Sequence, residues 1–205
     1  MSHNTPFDPR HQPDSTSAKI VVALERISEA FRVLLWNESK THGLSPIQVQ
    51  LLIFLQHHGS EYRTVSYLAS EFNMTKATIS DAVKTLEKKE LITKKFSAVD
   101  SRSFTIELTA NGEKIARQTA HFAQEIMAPL DRLDQDEQSK LLIHLFGIIR
   151  HLNQSGVITL ERMCFSCVHY RNNHKGSEHF CKLLETPLKQ QELRLDCPEH
   201  QKASG

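Results

Sequence analysis

The apolar residues of this chain change their spacing at Glu90, and this change restricts the possible folds more than any other feature of the sequence. Before Glu90 the apolar residues recur at steps of three and four, which is the period of an amphipathic helix. After it a first run, 91–96, leads into the polar stretch 97–101, and in a second run Phe104, Ile106 and Leu108 alternate with polar residues. Two alternating runs around a polar turn predict a β-hairpin. We therefore predict a mainly α fold with a small β wing.

The spacing of apolar residues and the helix start signals predict six helices. Ser45 followed by Pro46 is a strong start signal, because serine caps free N–H groups and proline has no N–H to leave unpaired. Thr75 and Thr109 are predicted to cap two further helices in the same way. The predicted helices cover about residues 17–39, 46–57, 65–72, 76–89, 110–130 and 134–153.

Composition divides the chain into three parts. Residues 1–16 are polar and proline-containing, which predicts a disordered tail. Residues 17–155 hold the predicted helices and hairpin, an order typical of a winged helix-turn-helix domain. Residues 156–205 are rich in histidine and cysteine and weakly apolar, so we predict a small metal-stabilised C-terminal module there.

Several function classes lack support in the sequence. No stretch approaches the ~18 consecutive apolar residues of a membrane helix, and the polar N-terminus has no apolar core of a secretory signal. No Ser/His/Asp set, phosphate-binding glycine loop or paired-carboxylate motif is found, so we expect a protein that is not an enzyme. A cytoplasmic location is expected, and in that reducing compartment cysteines serve more often as metal ligands than in disulfides.

The helix after Thr75 and the hairpin beside it have the residue types of a surface that contacts duplex DNA. A helix fits the major groove, hydroxyls bond phosphates or base edges, and lysines add attraction independent of base sequence. The segment 75–102 holds seven Lys or Arg and four Asp or Glu, a net charge of +3. The predicted DNA-binding residues are Thr75, Lys76, Thr78, Ser80 and Lys84 on the helix, and Lys94, Lys95 and Arg102 on the hairpin.

Each of these residues also has a purely structural interpretation. Thr75 caps its helix whether or not DNA is present. Lys84 could be an ordinary solvated lysine, and Arg102 could brace the wing by pairing with Asp100. The whole set, in this order along the chain, therefore indicates DNA binding more specifically than any single residue in it.

With these residues in place, the chain resembles the MarR family of bacterial transcriptional regulators over about residues 17–154. The matching motifs are Leu44–Leu52, Val65–Ala69, Thr75–Glu87, Glu90–Ile92, Asp100–Arg102 and Leu108–Gly112. The resemblance implies a homodimer in which the first helix interlocks with the last two. It also implies that the helix from Thr75 reads the major groove. Many members are repressors released by oxidation or by small molecules, so a repressor is expected, and a small-molecule effector is a possible further partner.

The apolar stripe of the first helix supports the dimer independently. It contains Ile20, Leu24, Ile27, Phe31 and Leu34. Together with the stripe of the last helix it exceeds the surface that a three-helix head can cover, and such exposed apolar surface usually marks an interface. A two-fold dimer predicts a pseudo-palindromic operator in double-stranded DNA, with half-sites about one helical turn apart.

The only four cysteines of the chain, Cys164, Cys167, Cys181 and Cys197, lie in the last 42 residues. Their pattern, C-x2-C followed by two separate cysteines, suits a metal held by four thiolates. Zinc is the default metal for four thiolate ligands. An iron–sulfur cluster is the alternative, since the later spacings are long and Cys197 precedes a proline. His169, His174, His179 and His200 could each replace a cysteine, although histidines near a metal more often support its ligands.

We therefore predict a sequence-specific DNA-binding transcriptional regulator whose four-cysteine tail binds a metal or cluster. The alternative is an adaptor whose tail docks a protein partner, while contact with DNA only localises it. Operator binding that survives nonspecific competitor DNA would favour the first of the two.

Overall fold

A computed structural model describes residues 5–10, 15–96, 103–159 and 162–203. Within these residues the chain forms seven α-helices, two short sheets and three 3₁₀ turns. The helices are α1 (Thr16–Thr41), α2 (Pro46–His57), α3 (Val65–Glu71), α4 (Lys76–Lys88), α5 (Ala110–Thr119), α6 (Gln124–Leu130) and α7 (Gln135–Gln154). The strands are β1 (Ile92–Phe96), β2 (Phe104–Leu108), β3 (Tyr170–His174), β4 (Ser177–Cys181) and β5 (Thr186–Leu188).

The first part of this structure is a winged helix, as the sequence predicted. Thr75 and Thr109 accept hydrogen bonds from the N–H groups of Thr78 and Gly112, which makes them the N-caps of α4 and α5. The β1–β2 hairpin is antiparallel and pairs Ile92 with Leu108. The fully buried core residues of this part include Val49, Leu51, Leu52, Leu55, Leu68, Ile79, Leu86 and Ile106.

The base of the hairpin is fixed from two sides. The N–H of Ile106 donates to the carbonyl of Arg63 at 2.9 Å, which ties β2 to the segment before α3. On the other side, the N–H of Thr109 donates to the carbonyl of Leu91 at 3.1 Å. Gly112 lies against that same carbonyl, where a side chain would have no room. The wing is therefore held at a set position beside α4.

One predicted helix is interrupted earlier than expected. The sequence predicts a helix over about 110–130, whereas α5 ends at Thr119 and α6 begins at Gln124. The hydroxyl of Thr119 donates to the carbonyls of Ile115 and Ala116, at 2.9 and 3.3 Å, and so competes with the backbone N–H groups that would continue the helix. The sequence predicts an interruption near Pro129, because proline lacks the N–H that a helix interior needs, but Pro129 lies inside α6.

The C-terminal segment forms a sheet that the sequence did not reveal. Strands β3, β4 and β5 form an antiparallel sheet in that order. Its small core contains Phe146 of α7, Met163 and Leu193, all at most 5% exposed. Because Phe146 belongs to α7, the cysteine-rich segment shares a core with the last helix of the preceding domain.

None of the helices in the described parts of the chain is both long enough and apolar enough to cross a membrane.

Candidate nucleic-acid interface and four-cysteine cavity

The N-terminal turn of α4 presents a polar, exposed surface. Thr75, Lys76 and Thr78 are all exposed. The hydroxyl of Thr75 accepts from the N–H of Thr78 at 3.1 Å and lies 2.9 Å from the hydroxyl of Thr78. Free N–H groups at a helix start attract anions such as phosphate. The buried residues Ile79, Val83 and Leu86 hold the opposite side of the helix in the core, so this end faces outward.

Two further predicted DNA-binding residues lie along α4. The Lys84 ammonium lies 3.3 Å from Asp81, and both side chains are more than half exposed. An exposed pair of this kind is worth at most about 1 kcal/mol, so Lys84 can exchange Asp81 for a phosphate. Ser80 is half-buried.

The predicted residues of the wing differ in their surroundings. The Lys94 ammonium lies 2.5 Å from the Glu87 carboxylate of α4 and 5.3 Å from the ring centre of Phe104. Lys94 is therefore engaged in bracing the wing against α4. Lys95 is exposed. Arg102 and Asp100 lie outside the described residues.

A set of large apolar side chains is exposed on α1, α6 and α7. It consists of Ile20, Val21, Ile27, Phe31, Val33, Trp36, Met127, Leu130, Leu141 and Ile148. These helices are the ones that the sequence predicts to form the dimer. Surface of this size and composition is unfavourable in water and usually serves for association.

The four cysteines converge on one cavity of about 490 Å³. Cys164 and Cys167 lie on a 3₁₀ turn, in which the N–H of Cys167 donates to the carbonyl of Cys164 at 3.0 Å. Cys181 ends β4, and Cys197 lies on the loop after Gln190–Glu192. All four are half-buried free thiols. The structure thus brings together the four residues that the sequence predicts as ligands.

The thiols of this cavity affect one another and accept hydrogen bonds. Burial raises the pKa of the Cys164 thiol, and the other three thiols are near enough to raise this pKa further. The backbone N–H of Arg194 lies 3.2 Å from the Cys164 sulfur, and its guanidinium lies 4.0 Å from the Cys197 sulfur. In the described part of the chain, no three His, Cys, Asp or Glu side chains are grouped so that they could hold one metal ion.

The nearby histidines have different roles. His169 lines the cavity, and its Nε2 atom is buried without a hydrogen-bond partner. The Nδ1 atom of His179 lies 2.8 Å from the hydroxyl of Tyr170, and Nε2 of His200 lies 3.0 Å from the hydroxyl of Ser166. His174 packs against the ring of Phe180. Of these four histidines, only His169 lines the cavity.

Arg162 is a functional candidate that the sequence analysis missed. Its side chain is 9% exposed and donates to both carboxylate oxygens of Asp196, at 2.7 and 2.9 Å. It also donates to the hydroxyl of Tyr67 at 2.6 Å and forms an ion pair with Glu71 of α3. His58, the residue that follows α2, completes the group, at 2.8 Å from Asp196. We call these five residues the Arg162 cluster.

The Arg162 cluster links the cysteine module to the winged-helix domain. Hydrogen bonds from Arg162 and His58 hold the pKa of Asp196 well below its usual range. The carbonyl of Arg162 accepts from the N–H of Cys197 at 3.0 Å, and Asp196 is the residue before this cysteine. Nearby, the side-chain amide of Asn73, beyond the end of α3, donates to the carbonyl of Val157 at 3.5 Å. Only the folded chain shows this link, because its members are up to 138 residues apart in sequence.

The fold and the exposed end of α4 define a winged-helix domain, and comparison with known proteins shows what this domain is similar to. Residues 42–103 match the model of the MarR family. That segment includes α2 to α4 and ends before the first cysteine. No curated protein matches the chain.

Solved structures share the same fold. The MepR–DNA complex of S. aureus has 22% sequence identity and a TM-score of 0.57, with 64% of this chain and 97% of the other covered. S. aureus MepR in a DNA-binding conformation has 22% identity and a TM-score of 0.57, covering 65% and 98%. The transcriptional regulator PA3341 has 24% identity and a TM-score of 0.56, covering 66% and 98%.

Proposed function

We propose that this protein is a sequence-specific DNA-binding transcription regulator in which α4 enters the major groove and the wing contacts the adjacent backbone. The observation that carries this proposal is the exposed hydroxyl- and lysine-bearing start of α4 beside a braced hairpin. It occurs in a MarR-family domain whose fold is similar to that of MepR in a DNA complex. Since many members of the family are repressors, repression is the expected output.

The test is the selection of binding sites from random duplexes, followed by binding to the selected site with excess nonspecific competitor. A regulator retains its site in competitor, because specific complexes are typically about 10³-fold or more tighter than nonspecific ones. If no sequence is enriched, or if competitor removes all binding, the chain is not a sequence-specific regulator. Loss of DNA binding together with capture of a protein by the cysteine module would support the adaptor instead.

Replacing Lys76 and Lys84 of α4 by glutamine is expected to weaken binding to all DNA sequences. Each lysine that contacts a phosphate releases a counterion, so each loss lowers the slope of log affinity against log salt by about 1. Affinity is measured by fluorescence anisotropy at several salt concentrations. Lys140→Gln on α7 is the matched control and should leave the slope unchanged. Equal slopes for all three proteins would place α4 away from the DNA.

The regulator is proposed to be a homodimer formed by the exposed apolar faces of α1, α6 and α7. These faces belong to the first and the last two helices, the part that the MarR resemblance assigns to the dimer. A two-fold dimer places two copies of α4 on successive turns of the duplex, so the operator is expected to be pseudo-palindromic.

Ile27→Glu is expected to convert the dimer to a monomer, because it places a charge in the middle of the α1 stripe, where Ile27 is 46% exposed in a single chain. Light scattering coupled to size exclusion gives the mass. The conservative variant Ile27→Leu should remain dimeric. A wild-type protein that is monomeric at micromolar concentration, or an Ile27→Glu dimer, would contradict the assignment.

The C-terminal module is proposed to bind zinc or an iron–sulfur cluster with Cys164, Cys167, Cys181 and Cys197. We also propose that gain or loss of this metal changes the conformation of the DNA-reading domain. The convergence of four free thiols on one cavity supports the first part. The second part is supported by the Arg162 cluster, which joins the Cys197 loop to α3 and to His58 at the end of α2. Because α3 directly precedes α4, a shift of this loop is expected to change the presentation of the DNA-reading helix.

A further inference from the structure

We infer that Arg63 is a positioning residue that couples metal binding in the cysteine module to the position of the wing. The inference rests on the proposed regulation of DNA binding by the module and extends it from α3 to the hairpin. The observation is a continuous series of hydrogen bonds that leads from the Cys197 loop to β2. Its members, in order, are Asp196, His58, Arg63 and Glu107.

The series begins at the carboxylate of Asp196, the residue before Cys197. Its Oδ2 atom lies 2.8 Å from Nε2 of His58. The other ring nitrogen of His58, Nδ1, lies 2.9 Å from the carbonyl oxygen of Phe54, and the ring stacks on the Phe54 ring with 3.7 Å between the ring centres. Because these contacts oppose rotation of the ring, a displacement of Asp196 acts on the position of His58.

The backbone of His58 continues the series to Arg63. The His58 carbonyl accepts from Nε of Arg63 at 2.8 Å, so the Arg63 side chain folds back over the turn between the two residues. That turn contains the 3₁₀ segment Ser60–Tyr62, and the N–H of Arg63 donates to the carbonyl of Ser60 at 3.2 Å. Since one side-chain bond and one backbone bond close the turn, we expect residues 58–63 to move as a unit.

Arg63 contacts two adjacent residues of β2. Its guanidinium donates from Nη1 to the Glu107 carboxylate at 2.6 Å, and its carbonyl accepts from the N–H of Ile106 at 2.9 Å. The side chains of Arg63 and Glu107 are 21% and 31% exposed, so water screens this ion pair less than a pair on the open surface. Strand β2 pairs along its whole length with β1, which carries Lys95. A displacement of Arg63 would therefore also displace a predicted DNA contact.

The guanidinium makes both side-chain bonds of Arg63 at once. Arginine presents its N–H groups in a rigid planar fork, whereas lysine has one ammonium at the end of a flexible chain. In Arg63 the Nε atom bonds the His58 carbonyl while Nη1 bonds Glu107. Arg63→Lys therefore keeps a positive charge beside Glu107 and removes the fixed connection between the turn and the wing.

The test is hydrogen exchange of the full-length protein, measured by mass spectrometry in the absence of DNA. The protein is compared with its metal bound, as zinc or as iron and sulfide, and after removal of the metal by a chelator under reducing conditions. The N–H of Ile106 is the reporter, because it donates to the Arg63 carbonyl. Amide protons exchange when their hydrogen bonds open locally, so we expect removal of the metal to speed exchange in β2 several-fold.

In Arg63→Lys the response of β2 to metal should be lost, while the response of α3 remains, because the ion pair of Arg162 with Glu71 is intact. If Arg63 had only a structural role, its replacement would raise exchange with and without metal and leave the difference between the two states. A wild-type β2 that exchanges equally in both states, or an Arg63→Lys protein that keeps the full response, would overturn the inference.

Glu87→Gln is the matched control for a loosened wing. It weakens the ion pair with Lys94 that braces the wing from α4, a contact that shares no residue with the series. Its β2 strand should exchange faster in both states and keep its response to metal. Loss of the response in this variant would show that any loosening of the wing has the same effect, which would overturn the role of Arg63.

His58→Phe tests the series at an earlier member. The variant retains a ring that can stack on Phe54 and lacks the bond to Asp196. It should also lose the response of β2 to metal, and combining it with Arg63→Lys should add nothing further, as expected for two members of one series. A full response in His58→Phe would contradict the series.

Operator affinity is measured on the same preparations, so that the two proposals can fail separately. In Arg63→Lys the effect of metal on this affinity should be smaller than in the wild type. A protein whose β2 responds to metal but that enriches no DNA sequence overturns the proposed regulator and leaves the connection to the wing in place. A protein that binds its selected site and its metal, with β2 unresponsive, overturns the connection alone. A protein that retains neither zinc nor iron and sulfide overturns the proposed role of the module and this inference with it.

Discussion

Arg162→Met is expected to lower the free energy of unfolding by roughly 3 kcal/mol, the cost of removing one partner from a buried ion pair. Arg162 is 9% exposed and Glu71 19% exposed, so Glu71 would lose its cation where water reaches it poorly. Asp196 is about half exposed and contributes less to this loss. Urea unfolding of the reduced, metal-free protein measures the change.

The same substitution is expected to weaken the effect that metal binding in the cysteine module has on DNA binding. In the wild type, affinity for the operator should differ between the metal-loaded and metal-free protein, because the Cys197 loop is bonded to Arg162. In Arg162→Met this difference should fall several-fold, while the metal content stays near the wild-type level. The measurement is operator affinity of the metal-loaded and of the metal-free protein. If Arg162 had only a structural role, its loss would change both affinities alike and leave the difference between them.

Arg171→Met is the matched control for both measurements. Arg171 is exposed and its guanidinium donates only to the carbonyls of Val168 and Tyr170, so a loss below about 1 kcal/mol is expected. The response of DNA binding to metal should remain. If Arg162→Met keeps the full response, or if Arg171→Met loses it equally, the Arg162 cluster does not transmit the state of the module.

Gly112→Ala is expected to destabilise the protein by about 3 kcal/mol or more, at or beyond the upper end of the usual cost of overpacking. A Cβ atom on Gly112 would lie 1.9 Å from the carbonyl oxygen of Leu91, which is backbone and cannot rotate away. Either α5 or Leu91, the residue before β1, must move, and the hydrogen bond from Thr109 to the same carbonyl would be strained. Thermal unfolding and the yield of folded protein measure the effect.

Asn111→Ala provides the control for this prediction, since it introduces the same side chain one position earlier, where the residue is exposed. Its effect should stay within about 0.5 kcal/mol. A folded Gly112→Ala protein with wild-type stability would show that the wing and α5 do not approach as closely as described.

Much of the winged helix could be predicted from the sequence, because its signals are local. Ser45 and Pro46 mark the start of α2, and Thr75 and Thr109 act as the caps that their residue types predict. The alternation through Phe104, Ile106 and Leu108 corresponds to β2, with Ile106 fully buried. Caps and periodic spacing depend on neighbouring residues, so they can be recognised without knowledge of the fold.

The strands of the cysteine module could not be predicted from local signals. They have three to five residues, and β3 and β4 contain charged or polar side chains on both faces, so no alternation indicates them. Their stability depends on Phe146 of α7, a residue of another element. The spacing of the cysteines did predict a shared site, since the C-x2-C pair has a recognisable form, but it left the choice between zinc and a cluster open.

The sequence by itself therefore determined the helices apart from the break between α5 and α6, the wing, the outward-facing residues of α4 and the four candidate ligands. Periodicity, capping and ligand spacing are properties of short segments, which makes them readable in this way. Only the tertiary structure decided that Lys94 braces the wing, that the thiols surround a cavity, and that Arg162 joins the module to α3. These features arise where segments distant in the chain come into contact. The burial of side chains at those contacts determines which charges pair and which polar atoms remain without a partner.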